Sequence, residues 1–232
     1  MTEPLLGFIT KYSDEADIFC FQEVFDSCSA SRETYLSANF NIHSDIQKAL
    51  PSFDGFFAPH QDNEEGLSMF YKKDLRIIEK GDEFVYKWKN SMMNGDSLSL
   101  GRNIQYVDLE YEDKLYTICN FHGLWNGMGK TDTPDRLDQS ENINNFLNKK
   151  EGIKVLCGDF NLLPETESLK IIEATGLRNL IKEFGIQSTR TSFYKKPGKF
   201  ADYVFVSPSV EVKEFKILPD EVSDHAPLFL EI

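Results

Sequence analysis

IKVLCGDFNLLPETESLKIIEATG, residues 153–176, is the stretch on which the fold turns. Ile153 to Cys157, apolar except for Lys154, reads as a buried strand. The polar loop GDFNLLPET follows, and then Leu169, Ile171 and Ile172 give a helix that ends at Gly176, a residue suited to the left-handed turn after a helix. A strand that stops abruptly in Asp159, Phe160 and Asn161 is the most informative feature of the sequence.

Working outward toward the N-terminus, residues 131–148 carry Pro134 near their start and Leu137, Ile143, Phe146 and Leu147 on one stripe, which predicts a helix covering a sheet face. Before it, Ile104–Leu109 and Leu115–Phe121 read as a hairpin turned at Glu112-Asp113, with His122 directly after the second strand. SFDGFFAP, LSMFY and LRIIEKGDEFVYKW are further antiparallel strands between Gly and Asp turns. Ser29 to Leu50 is expected to be mostly helical. Asp17 to Phe21 is an aromatic-rich buried strand ending in Gln22-Glu23, and Leu5, Leu6, Phe8 and Ile9 place a short amphipathic helix at the start. Toward the C-terminus, ADYVFVSP reads as a strand, VEVKEFKIL as its neighbour and HAPLFLEI as a terminal strand. With no repeat or break in composition, the expectation is one domain spanning residues 1–232.

The chain carries 25 Lys and Arg against 38 Asp and Glu, a formal charge of -13, so tight nonspecific binding to duplex DNA is excluded as its main role. A divalent ion held by carboxylates would still reverse the field locally, which leaves phosphate chemistry open. Cys20, Cys28, Cys119 and Cys157 form no CxxC pair and are expected to be reduced thiols in the core. No apolar run reaches spanning length and the N-terminus lacks a secretion-signal layout, so the expectation is a cytoplasmic monomer with no membrane span.

Polar residues end or adjoin separate strands at Glu23, His122, Asp159 with Asn161, Asp202, and Asp224 with His225. Strand ends that converge at one sheet edge are a favourable place to build a site from distant residues. The segments FCFQEVF (19–25), NFHGLW (120–125), GDFNLLPET (158–166), ADYVFVSP (201–208) and SDHAPLFLEI (223–232) resemble, in order, the motifs of the endonuclease/exonuclease/phosphatase superfamily with its deoxyribonuclease-I-like fold. Each motif alone is weak; the ordered set is specific. The resemblance implies an α/β (α+β) fold, a four-layer α/β/β/α sandwich of two mostly antiparallel sheets with helices outside.

The resemblance also implies roles. Glu23 and Asp224 become metal ligands for Mg2+ or Mn2+, hard anionic oxygens suited to a hard cation. Asp159 orients and deprotonates the attacking water, and Asn161 donates to a phosphate oxygen without adding charge. His225 contacts the scissile phosphate while Asp202 orients it, and His122 stabilises the transition state or assists the leaving oxygen. Arg102 is either a phosphate-side group or a surface salt bridge, and Trp125 either stacks on a flat group or packs. His43 and His60 receive no role. Lys195, Lys196 and Lys199 form a local basic cluster that either meets an anionic substrate or is a solvated face.

Taken together, these roles imply an Mg-dependent phosphoric ester hydrolase acting on a phosphodiester, with a single-stranded or short nucleic acid or a small phosphorylated molecule as substrate. A phosphomonoesterase, a sphingomyelinase-type member, or a catalytically weak binding protein that keeps the fold are the alternatives. Family members begin with a strand ending in Leu-Asn, and no such strand precedes Pro4, so an open sheet edge is expected near the site.

Overall fold

The computed structural model describes residues 2–26, 41–91 and 100–232. Helix α1 (Thr2–Tyr12) and strand β1 (Ile18–Phe25) open the chain, and α2 (Ile42–Ala49) precedes strands β2 (Phe53–Gln61), β3 (Glu65–Lys72) and β4 (Arg76–Tyr86). The hairpin β5 (Arg102–Tyr111) and β6 (Lys114–His122) leads to α3 (Pro134–Leu147), β7 (Ile153–Asp159) and α4 (Glu167–Glu173). Two short elements, β8 (Arg178–Asn179) and α5 (Leu180–Glu183), come before β9 (Asp202–Val206), β10 (Glu214–Ile217) and β11 (Leu228–Glu231).

The larger sheet has six strands in the order β4-β5-β6-β7-β9-β8, and the smaller side holds β1-β3-β2 and the pair β10-β11. Among the described residues, β6 and β7 are the one parallel pair. This is the expected sandwich, with helices on the outer faces. Ile143, Phe146 and Leu147 of α3 and Leu169 and Ile172 of α4 pack with Phe121, Leu156 and Phe205 over the large sheet. Ile9 and Tyr12 of α1 pack with Ile46, Phe19, Phe53 and Phe70 over the small one. Between the sheets, Met69 and Tyr71 meet Val107 and Leu109. Non-directional apolar contact of this kind drives the layers together but does not set their register.

Polar pins set it. Asn120 donates to the carbonyls of Phe21 and Ser68 and to Gln105, while Gln22 donates to Asn120. Buried amides must be bonded, so this network locks the end of β1 against β6.

One detail departs from the sequence reading. VEVKEFKIL does not neighbour ADYVFVSP: β8 takes the outer edge of β9, pairing Arg178 with Val206 and Asn179 with Phe205, and β10 crosses to pair with β11. The Glu112-Asp113 turn is as expected, both residues with positive φ (49° and 58°) as a tight hairpin of matching twist requires. Of the Ser29–Leu50 region, α2 is the described part, and the rest lies outside the described residues. Cys119 is buried and Cys20 and Cys157 are half-buried free thiols, while Cys28 lies outside the described residues.

Among the described residues, β1 ladders on one side only, with β3, and β11 only with β10. The open edges of both line a cleft of about 1490 Å3 whose wall also includes Glu23, Asp159, Asp202, Asp224 and His225. No helix among the described residues is long and apolar enough to cross a membrane.

Candidate active site

Strand register builds the centre. His122 is the Cα partner of Asp159, and Asp159 is in turn the partner of Asp202, so three polar residues stand side by side at the ends of β6, β7 and β9. Residues opposite one another on neighbouring strands project to the same face. Gly158 makes the alignment feasible: it has φ of 143°, and a Cβ there would sit 1.9 Å from the Phe121 carbonyl oxygen. Phe160 then turns into the core against Phe121, Tyr203 and Phe205, fixing Asp159 and Asn161 on either side of it.

Asp159 is the hub. Its Oδ2 lies 3.7 Å from His225 Nε2 and 3.9 Å from His122 Nε2, and its Oδ1 accepts the Asn161 backbone N–H at 2.7 Å. Burial and the neighbouring Asp202 charge push its carboxyl up to about 7, against the lesser pull of His225 and the Asn161 N–H. A carboxyl poised near neutrality is suited to accept and release a proton.

His225 Nδ1 and Asp202 Oδ1 lie 2.8 Å apart. Burial pulls this imidazole down, but the Asp202 bond and the charges of Asp202 and Asp159 outweigh it and raise the ring above its ordinary value. With Nδ1 bound to Asp202, Nε2 is left facing Asp159.

His122 is the opposite case. Burial, reinforced by Arg102 and by the other two histidines nearby, drives it well below its ordinary value, so it is a neutral ring. Its Nε2 lies 3.4 Å from Asn161 Nδ2 and 3.7 Å from Glu23 Oε1. Its buried Nδ1 has no hydrogen-bond partner among the described residues. Glu23 sits at a bulge in β1 with φ of 53°, and its side chain is 69% exposed at the mouth of the site. Asn161 is also in the left-handed region, at φ of 55°. Such backbone is uncommon outside glycine and clusters at functional sites.

Arg102 is not a surface residue. It is 6% exposed, and its Nη1 donates to His60 Nε2 at 3.1 Å, with Glu65 3.7 Å from the same ring nitrogen. Burial lowers the guanidinium, and the charges of Glu65, Glu23 and Asp159 pull it back. His60, which had no role from sequence, thus fixes a cation behind His122.

The divalent cation implied by the resemblance finds a fitting set of donors. Asp159, Asp202 and His225 each offer a ligand atom, all within 4.8 Å of one another, and Asp202 Oδ2 is buried with no partner among the described residues. Asp224 is not in that group: its Oδ2 accepts from Arg190 Nη1 at 2.8 Å, because the backbone bridge between Arg190 and His225 brings that guanidinium alongside. Trp125 is half-buried on the loop after β6, and Lys195, Lys196 and Lys199 are exposed, as solvated lysines usually are. The cations that do reach the centre are Lys130 and Arg190, which the sequence reading passed over; neither stands in a charge run or a motif.

The model of the Endonuclease/Exonuclease/phosphatase family matches residues 3–225. In three dimensions the chain is similar to the mannosyl-6-phosphatase of Bacteroides thetaiotaomicron, with a TM-score of 0.73, 22% identity, and coverage of 98% of this chain and 89% of that one. It is also similar to D. rerio TDP2 in complex with a single-strand DNA product (TM-score 0.69, 14% identity, 99% and 90% covered). The human Nocturnin catalytic domain with bound sulfate has a TM-score of 0.61 and 16% identity, with 98% and 85% covered. At these identities the likeness is one of fold. No curated protein matches the chain in sequence.

Proposed function

From the premise that the chain belongs to the Endonuclease/Exonuclease/phosphatase family, we propose that it is a divalent-metal-dependent phosphoesterase hydrolysing a phosphodiester by in-line attack of an activated water. The observation that carries this reading is Asp159: a buried carboxyl poised near neutrality, flanked by one histidine favoured charged and one held neutral.

Asp159 takes the proton of the attacking water. His225, kept protonated by Asp202, donates to a phosphoryl oxygen as negative charge gathers there. Asn161 adds a neutral donor through Nδ2, and neutral His122 supports the leaving-group side without repelling His225. Arg102 supplies positive potential from behind, and Trp125 is left as a stacking surface for the substrate's flat part. Asp202 through its unpartnered Oδ2, with Glu23 at the mouth, would hold Mg2+ or Mn2+, leaving His225 protonated and Asp159 available as the base. The ion would neutralise a phosphoryl oxygen and favour the ionised form of Asp159.

A second reading, phosphomonoester hydrolysis, is favoured by the likeness to the Bacteroides mannosyl-6-phosphatase. One assay separates them: turnover of bis(p-nitrophenyl) phosphate and p-nitrophenyl phosphate with Mg2+, Mn2+ or EDTA, for the wild type and Asp159→Asn. The expected result is diester turnover that EDTA abolishes and that Asp159→Asn lowers by about 10^3-fold. Turnover of the monoester alone selects the second reading. Metal-independent turnover unchanged by Asp159→Asn overturns both.

A further inference from the structure

Beside the reaction centre, two cations share one aromatic ring. The Lys130 ammonium lies 5.3 Å from the centroid of Tyr194, and the Arg190 guanidinium carbon lies 4.2 Å from it. Both are anchored to residues next to the catalytic group. Lys130 Nζ donates to the carbonyl of Phe200, two positions before Asp202, and its backbone carbonyl accepts from Leu163 on the loop that carries Asn161. Arg190 bridges to His225 through the backbone, while Thr189 just before it bonds the N–H groups of Ala201 and Asp202.

Like charges gathered on one ring repel, and Lys130 is lowered by burial and then by Arg190 before Asp159, Asp202 and Asp224 pull it back. One exposed carboxylate, Asp224, bonds Arg190. Lys130 spends one of three donors on Phe200, and Arg190, only 7% exposed, keeps a buried Nε with no partner among the described residues. On a chain with formal charge of -13, two cations held beside a phosphate-processing centre with donors left over are matched to an anion.

We propose that Lys130 and Arg190, spaced by Tyr194, form a second phosphate subsite, so that preferred substrates carry another phosphate group close to the scissile one. This rests on the phosphoesterase reading for its catalytic consequence but not for its binding. Lys130 is the residue to test, since Arg190 also holds Asp224.

The experiment compares kcat/KM for pdTpdT against dTpdT and for glucose 1,6-bisphosphate against glucose 6-phosphate, in the wild type, Lys130→Gln and the charge-keeping Lys130→Arg. The expected result is a wild-type preference for the ligand with the additional phosphate in one pair, which identifies the source of that phosphate. That preference falls about tenfold in Lys130→Gln and is largely restored in Lys130→Arg. Calorimetric binding of pyrophosphate against inorganic phosphate reads the same subsite without turnover, with tighter binding of pyrophosphate that Lys130→Gln removes. An inert enzyme that still shows this binding difference would sink the hydrolase reading and keep the subsite. Equal binding of the two anions, or a preference that Lys130→Gln leaves intact, overturns the proposal and leaves Lys130 as a neutralising partner of the carboxylates.

Discussion

The two sides of Asp159 use the same residue type to opposite ends. On the β9 side, His225 is 28% exposed and has a carboxylate on Nδ1, so its charged form is favoured despite partial burial. On the β6 side, His122 is 4% exposed, has no partner on Nδ1 among the described residues and faces the field of Arg102, so its neutral form is favoured. Burial reinforced by a guanidinium at His122, against a carboxylate 2.8 Å from His225, decides which histidine can give up a proton near neutral pH. A ring becomes an acid through its neighbours rather than through its own identity.

Of the changes that act on the two histidines, removing the carboxylate that makes the difference gives the larger expected effect. Asp202→Asn keeps a side-chain oxygen near His225 Nδ1 but removes the charge, so the imidazole falls back toward its ordinary value. Activity that needs protonated His225 is lost as pH rises through its value, so the alkaline limb of the kcat/KM profile moves to lower pH. At pH 8 the loss is about 10^2-fold. A uniform loss with the limb unmoved would mean that Asp202 only positions the ring.

His122→Gln probes the other side and is expected to cost about tenfold, because a neutral donor is exchanged for a weaker-placed neutral donor. The informative readout is shape. Since His122 is neutral through the working range, the pH–rate profile should not move between about pH 5.5 and 8. A shifted limb would show that His122 titrates and that the two histidines are not opposites.

This contrast was only half legible in the sequence. The residues themselves were, because Asp159, Asp202 and His225 each end or adjoin an apolar run, and register brings strand ends together. The hairpin and the helix over residues 134–147 followed from periodicity and turn chemistry, and the sandwich from the resemblance carried by the ordered motifs. The sign of the shift of His122 was not, because it depends on burial beneath the opposing sheet and then on Arg102, which meets His60 across sheets 42 positions apart. Arg102 inside an apolar strand reads equally well as a surface residue until the opposing sheet is in place. The ion pair of Asp224 was hidden for a related reason: its neighbour in space is Arg190, and two residues 34 positions apart in loops carry no spacing signal. The same holds for β8, where two residues are too few to show a period.

The smallest expected effect is on stability, and it joins the two sides through Asp159. A carboxyl raised from its unfolded value near 4 to about 7 keeps a proton in the folded state that the unfolded chain releases, so rising pH across that window favours unfolding. His225, raised above its unfolded value, contributes stability below about pH 6.5 that is lost as pH climbs through its folded value, so it acts in the same direction. His122, held neutral by burial, acts the other way below about pH 6.5, so in EDTA the melting temperature should fall from pH 6.5 to pH 8. Asp159→Asn, which keeps an oxygen for the Asn161 N–H but carries no charge, should remove the carboxyl's share and melt about 3 °C above the wild type at pH 8. Mg2+ should raise the wild type at pH 8 and do less for the variant, since the cation offsets a charge that only the wild type has. A wild type that grows more stable from pH 6.5 to pH 8 in EDTA would place Asp159 on the acidic side of neutrality and leave it too weak a base for the role proposed.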